Sequence, residues 1–181
     1  MSKNNELRFQ NEFILEKNFL REFFRLTMSK GYSAICYIFF GAVLIFSLIV
    51  LLNGGAQNIP MLLFLLCISI YGLSFPVSRV NLNAKNLLKQ YAVLSSGGTA
   101  GIRVLFHNSE FNSNVYGREN TFSYTQISKV VSGKLGLYFH IEKSLYVMLK
   151  KDAFTVGDYD SFVVFLREKL KDNPKALKRL R

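Results

Sequence analysis

Between Gly31 and Ser78 the chain carries no Asp, Glu, Lys, Arg or His. Most of that stretch is Ile, Leu, Phe, Val and small residues, interrupted once by Asn53-Gly54-Gly55-Ala56-Gln57-Asn58-Ile59-Pro60. A membrane-crossing helix needs about 20 apolar residues to cover a hydrocarbon core of roughly 30 Å. Two such segments fit in the gap, from about Tyr32 to Leu52 and from Met61 to about Val77, roughly 31 and 26 Å long as helices. The sequence therefore predicts a transmembrane hairpin over 31–78 with a tight polar turn. Pro60 suits the first turn of the second helix, where its missing N–H costs nothing. Pro76 lies near the far end, where a proline can kink a helix. A signal peptide fits poorly, because its apolar region would be shorter and no second span would follow.

The flanks set the expected orientation. Lys17, Arg21, Arg25 and Lys30 precede the first span, Arg79, Lys85 and Lys89 follow the second, and the turn is uncharged. The positive-inside rule then places both termini in the cytoplasm. Cys36 and Cys67, the only cysteines, fall inside the spans at depths about 12 Å apart, too far for a disulfide, and read as small apolar core residues. No Asp, Glu, Lys, Arg or His lies within the spans, where proton relays and ion paths usually place one, and two helices alone do not enclose a pore, which leaves only an oligomeric channel open. Gly41, Ser69 and Gly72 form no GxxxG pattern, so the signal for a homo-oligomer is weak. The spans read as an anchor.

Residues 1–30 read as a cytoplasmic strand and amphipathic helix. Leu7-Arg8-Phe9-Gln10 alternates like a short strand, and Leu15, Phe19, Phe23 and Leu26 recur at helical spacing. That helix either lies in the membrane interface or packs on the cytoplasmic domain, and its composition favours neither. Residues 79–99 read as a stalk and linker, with Val80, Ala84, Leu87, Leu88, Tyr91 and Leu94 opposed by Lys85 and Lys89, and Ser95-Ser96-Gly97-Gly98-Thr99 ending the helix.

From Ala100 the period changes from 3.6 to 2. Ile102, Val104 and Phe106 share a face; Phe122, Tyr124, Ile127, Val130 and Val131 continue the pattern. After a turn at Gly133-Lys134, Leu135, Leu137, Phe139 and Ile141 alternate with Gly136, Tyr138 and His140; a turn at Glu142-Lys143 leads to Leu145, Val147 and Leu149. Short strands joined by turns indicate an antiparallel sheet or small barrel over 100–172, which the N-terminal strand is placed to complete. A helix closes it, with Asp158 as N-cap, a stripe of Tyr159, Phe162, Val163, Leu166 and Leu170, and a stop at Asn173-Pro174. Residues 173–181 form a basic tail. The fold class expected is an α+β membrane protein.

The order of elements resembles the YcxB-like family of bacterial membrane proteins. The resemblance rests chiefly on Phe122-Ser123-Tyr124-Thr125-Gln126-Ile127-Ser128-Lys129-Val130-Val131 and on Met148-Leu149-Lys150-Lys151-Asp152-Ala153-Phe154. It implies a C-terminal domain similar to bacterial pleckstrin-homology (PH-like) domains, and a place in the bacterial inner membrane. The family tends to show Trp where this chain has Tyr124, and a Pro-Lys-Arg-Ala-Phe-like run where it has Lys150-Lys151-Asp152-Ala153-Phe154. Tyr124, Ile127 and Phe154 would pack a barrel; they carry no chemistry.

No HExxH, GxSxG, Walker or CxxC motif is present, and Gly97-Gly98-Thr99-Ala100-Gly101 precedes a strand, not the helix N-terminus that phosphate binding needs. His107 and His140 point away from the core face by alternation and are expected in solvent. No enzyme, cofactor or metal site is therefore expected. The net charge of +11 calls instead for an anionic partner. Its densest run is Lys175, Lys178, Arg179 and Arg181, a candidate contact for anionic lipid headgroups at about 1 kcal/mol per basic residue, against the alternative of a solvated terminus. No nucleic-acid motif accompanies the charge. The expectation is a non-catalytic, membrane-anchored binding protein whose PH-like domain meets a protein segment or lipid headgroup at the cytoplasmic surface. The alternative is a structural or protective partner of the immunity type, acting through its spans.

Overall fold

A computed structural model describes residues 6–53, 59–94, 101–115, 117–141 and 145–177, with Leu94 and Lys175 described by backbone alone. The chain forms β1 (Phe9–Ile14), α1 (Lys17–Thr27), α2 (Lys30–Leu52), α3 (Ile59–Leu94), β2 (Gly101–Phe106), β3 (Glu110–Val115), β4 (Arg118–Ser123), β5 (Ile127–Ser132), β6 (Gly136–Ile141), β7 (Leu145–Lys150), β8 (Phe154–Val156), α4 (Tyr159–Lys169) and α5 (Pro174–Leu177). It is a mixed α+β protein with two long apolar helices and antiparallel sheets. Two compact units divide it: residues 27–85, and a unit built from 1–26 together with 86–181. The turns expected at Gly54–Asn58, Ser95–Thr99 and Glu142-Lys143 fall outside the described residues.

In the second unit the strands make a five-stranded sheet, ordered β4-β3-β2-β1-β8, and a three-stranded sheet, ordered β5-β6-β7. β1 is therefore an interior strand, paired antiparallel with β2 from Phe9↔Phe106 to Ile14↔Gly101 and with β8 on its other side. The residues before the apolar segment thus complete the sheet of the residues after it.

The core between the sheets is aromatic. Phe106, Phe111, Phe139 and Phe162 are fully buried, with Phe106 and Phe162 ring centroids 4.6 Å apart. Burying rings of this size supplies much of the driving force for so small a unit. Ile102, Val104, Leu137, Ile141, Val147 and Leu149 fill the rest. Helix α4 covers the core through Phe162 and Leu166, and Asp158 caps it by accepting from the Ser161 N–H at 2.9 Å. Gly157 precedes the cap at φ +75°, and a side chain there would also collide with the Phe9 ring. Asn173, between α4 and α5, ties the chain to β5 by donating to Ile127 O at 3.1 Å.

The question left open for the N-terminal helix is settled by burial. α1 packs on the outer face of the three-stranded sheet: Phe19 and Phe23 lie 5.3 and 5.4 Å from the Tyr138 ring, and Phe23 lies 5.0 Å from Tyr146. Hence Gly136 and Tyr138, expected to face away from the core, are buried like Leu137 and Phe139. Gly136 is required there, since an added Cβ would meet the Leu149 carbonyl and the Phe19 ring.

Candidate functional site

Charge-free runs of Ile, Leu, Phe and Val make α2 and α3 helical, and both are long and apolar enough to cross a membrane. Ser29 caps α2, its hydroxyl accepting from the Tyr32 N–H, and Pro60 sits in the first turn of α3. α3 continues through Pro76 to Leu94, so the expected span and stalk are one helix. Proline leaves the carbonyl four residues back, on Gly72, without its helical donor. At Gly72 the ring of Phe40 packs so closely that no side chain fits, which brings the two helices together. Ser47 and Ser69 are fully buried and return their hydroxyls to Val43 O at 2.8 Å and Leu65 O at 2.7 Å. The Arg79 guanidinium lies over the Tyr32 ring, 5.2 Å from its centroid.

The outward faces of these helices are apolar and uncovered. Ile38 is 72% exposed, Phe64 63% and Tyr71 68%, with Ile45, Phe46, Leu63 and Ile70 similarly open. A core helix of a water-soluble protein would bury such residues; contiguous exposed apolar surface of this extent marks an interaction face. Cys36 is half-buried and Cys67 exposed, and neither forms a disulfide.

Of the basic tail, Lys175 lies in α5, while Lys178, Arg179 and Arg181 lie outside the described residues. His107 and His140 are each half-buried. His140 Nδ1 lies 2.6 Å from Ser128 Oγ, and its ring rests edge-on against Tyr146, 4.8 Å between centroids. The His107 carbonyl accepts from the Tyr124 hydroxyl at 2.7 Å, and burial pushes the Tyr124 phenol above its ordinary pKa. This bond gives Tyr124 a structural task. Among the described residues no group of three or more His, Cys, Asp or Glu is gathered as metal ligands.

A buried carboxylate escaped the sequence reading. Glu22, on the inner face of α1 and 7% exposed, accepts from the Leu135 N–H at 2.8 Å and the Tyr138 hydroxyl at 3.0 Å. Burial and this carboxylate both push the Tyr138 phenol upward. Gly133 leaves room for it, because a Cβ there would collide with Glu22. The signal was present: Glu22 follows Phe19 by three residues and so shares its helical face. Glu22 fastens α1 to the β5–β6 turn.

No family model, curated protein or solved structure matches the chain. The geometry itself defines the class: an α+β protein whose sheet unit is interrupted in sequence by a pair of long, outwardly apolar helices.

Proposed function

We propose that this is a non-catalytic, membrane-anchored binding protein. α2 and α3 cross the membrane as a hairpin, and the sheet unit, read as PH-like, presents a protein- or headgroup-binding surface at the cytoplasmic face. The observation that carries the anchor is the exposure of apolar side chains along both helices. The pairing of β1 with β2 supports the hairpin, because it holds the chain before α2 and the chain after α3 on one side of any membrane. The basic residues Lys30, Arg79, Lys85 and Lys89, against a turn without charge, favour the cytoplasm of a bacterial inner membrane as that side. Lys175, Lys178, Arg179 and Arg181 add a candidate contact with anionic headgroups.

Single cysteines at Gln57 and Ser109, on a background lacking Cys36 and Cys67, test the topology in intact cells with a membrane-impermeant thiol reagent. Position 57 should label and position 109 should not. Labelling of 109 alone would reverse the orientation, and release of the protein from membranes by alkaline carbonate would refute the anchor. Replacing residues 31–78 with an unrelated hairpin should preserve binding by the sheet unit. Loss of function on that swap would favour the protective, span-mediated role.

A further inference from the structure

Among the described residues the cations of α1 have no acidic partner. Lys17, Arg21 and Arg25 stand four residues apart, so they share the face of α1 opposite the buried Phe19, Glu22 and Phe23. The ion pairs among the described residues engage Arg8, Arg103 and Lys150, and none reaches these three cations. Glu16, the acid nearest in sequence, is taken by Lys150 at 3.0 Å, and Glu22 is turned inward. Among the described residues Arg21 has only Asn18 Oδ1 as acceptor, at a long 3.4 Å, and its buried Nε has no hydrogen-bond partner. Through its Nη groups a guanidinium so weakly engaged can still hold an oxyanion such as a phosphate.

We infer that α1 is a headgroup-binding helix, using Lys17, Arg21 and Arg25 to hold anionic lipid while its apolar face holds the sheet unit. Two observations single out lipid as the occupant. Only Met28 and Ser29 separate α1 from α2, so Arg25 stays within about 17 Å of Lys30 even with the chain fully extended. The face also carries one sign of charge, and anionic leaflets attract such juxtamembrane clusters. α1 thereby differs from an interfacial helix that buries its apolar side in lipid: Phe19 and Phe23 are already spent on Tyr138. This inference rests on the anchor proposed above, and it assigns headgroup contact to α1 independently of the tail.

The test uses the full chain with Asn18→Cys carrying a fluorophore, Cys36 and Cys67 replaced by Ser, in vesicles doped with a headgroup-quencher lipid. Flotation first reports whether the protein inserts. With phosphatidylglycerol present, quenching should exceed that in pure phosphatidylcholine, and the excess should vanish at high salt. Lys17→Gln, Arg21→Gln and Arg25→Gln together should abolish the excess without altering flotation, whereas neutralising Lys175, Lys178, Arg179 and Arg181 should leave it. Equal quenching in the two lipids, or an excess that survives the triple substitution, would overturn the inference while leaving the anchor intact. Capture of soluble polyglutamate by this face, with no lipid-dependent quenching, would assign it to an acidic protein and also overturn it. Failure to float would defeat the anchor, and the inference with it.

Discussion

The side-chain amide of Asn11 pairs with the main chain of Lys150 as a neighbouring peptide group would. Its Nδ2 donates to Lys150 O at 2.7 Å, and its Oδ1 accepts from the Lys150 N–H at 3.1 Å. Asn11 belongs to β1 in the five-stranded sheet and Lys150 ends β7 in the three-stranded one, so this pair joins the two sheets. The amide is fully buried, where an unpaired polar group costs about 1–3 kcal/mol. Asn11→Leu should therefore destabilise the protein by at least that amount, since both Lys150 groups lose their partner. Asn11→Asp should be comparably harmful, because it keeps an acceptor but sets an oxygen against Lys150 O. Thermal unfolding in detergent measures both; an unchanged midpoint in either variant would refute the bridge.

Phe139 touches the core from three directions, with ring centroids 6.3 Å from Phe106, 6.0 Å from Phe111 and 6.4 Å from Phe162. It is fully buried, so Phe139→Ala should cost about 3–5 kcal/mol. Chemical denaturation should show a lowered midpoint, and full tolerance would show that the core lies elsewhere.

What was legible in the sequence follows from how each pattern arises. The apolar gap, the N-cap at Asp158 and the alternation of Ile102, Val104 and Phe106 are local signals, and the structure carries all three. β3 was not recognised because Glu110-Phe111-Asn112-Ser113-Asn114-Val115 buries a serine on the same face as Phe111, leaving little alternation to read. The burial of Tyr138 was hidden because it depends on α1, more than 100 residues away in the chain. For the same reason the interior place of β1 could be anticipated only as a strand added to the sheet. Of the candidate tail, three of four cations fall outside the described residues, whereas the absence of acidic partners for the α1 cations among the described residues depends on where Glu16 and Glu22 are engaged.

Acid should weaken the sheet unit through two exposed carboxylates. Hydrogen bonds from Ser161 hold Asp158 below its ordinary value of 3.8, and the Arg103 guanidinium, bonded to Glu12 at 2.9 and 3.0 Å, holds Glu12 below 4.5. A carboxyl lowered on folding contributes stability fully above its unfolded pKa and loses it as pH falls through the folded one. The melting temperature should thus be insensitive to these groups above about pH 5 and fall below about pH 4. Asp158→Asn with Glu12→Gln should flatten that acid limb, the Asn retaining an oxygen for the Ser161 N–H. An acid limb of unaltered steepness in the double variant would show that other groups control it.

The interior position of β1 yields a sharper test of how the chain is organised. Residues 100–181 alone lack the strand between β2 and β8 and the helix covering Tyr138. They also lose Phe13, Leu15, Phe19, Leu20 and Phe23, all buried. At about 1.5–3 kcal/mol per buried apolar side chain, the loss rivals the 5–15 kcal/mol by which whole domains are typically stable. The isolated segment should accordingly be unfolded, with a disordered far-ultraviolet circular-dichroism spectrum and collapsed amide dispersion by nuclear magnetic resonance. Joining residues 6–27 to 86–181 through a flexible Gly/Ser linker in place of the apolar helices should restore both a strand-rich spectrum and wide dispersion. Phe13→Ala in that linked chain should lower its melting temperature. A well-dispersed spectrum from residues 100–181 by themselves would show that β1 is dispensable, and that the sheet unit is completed without the chain that precedes α2.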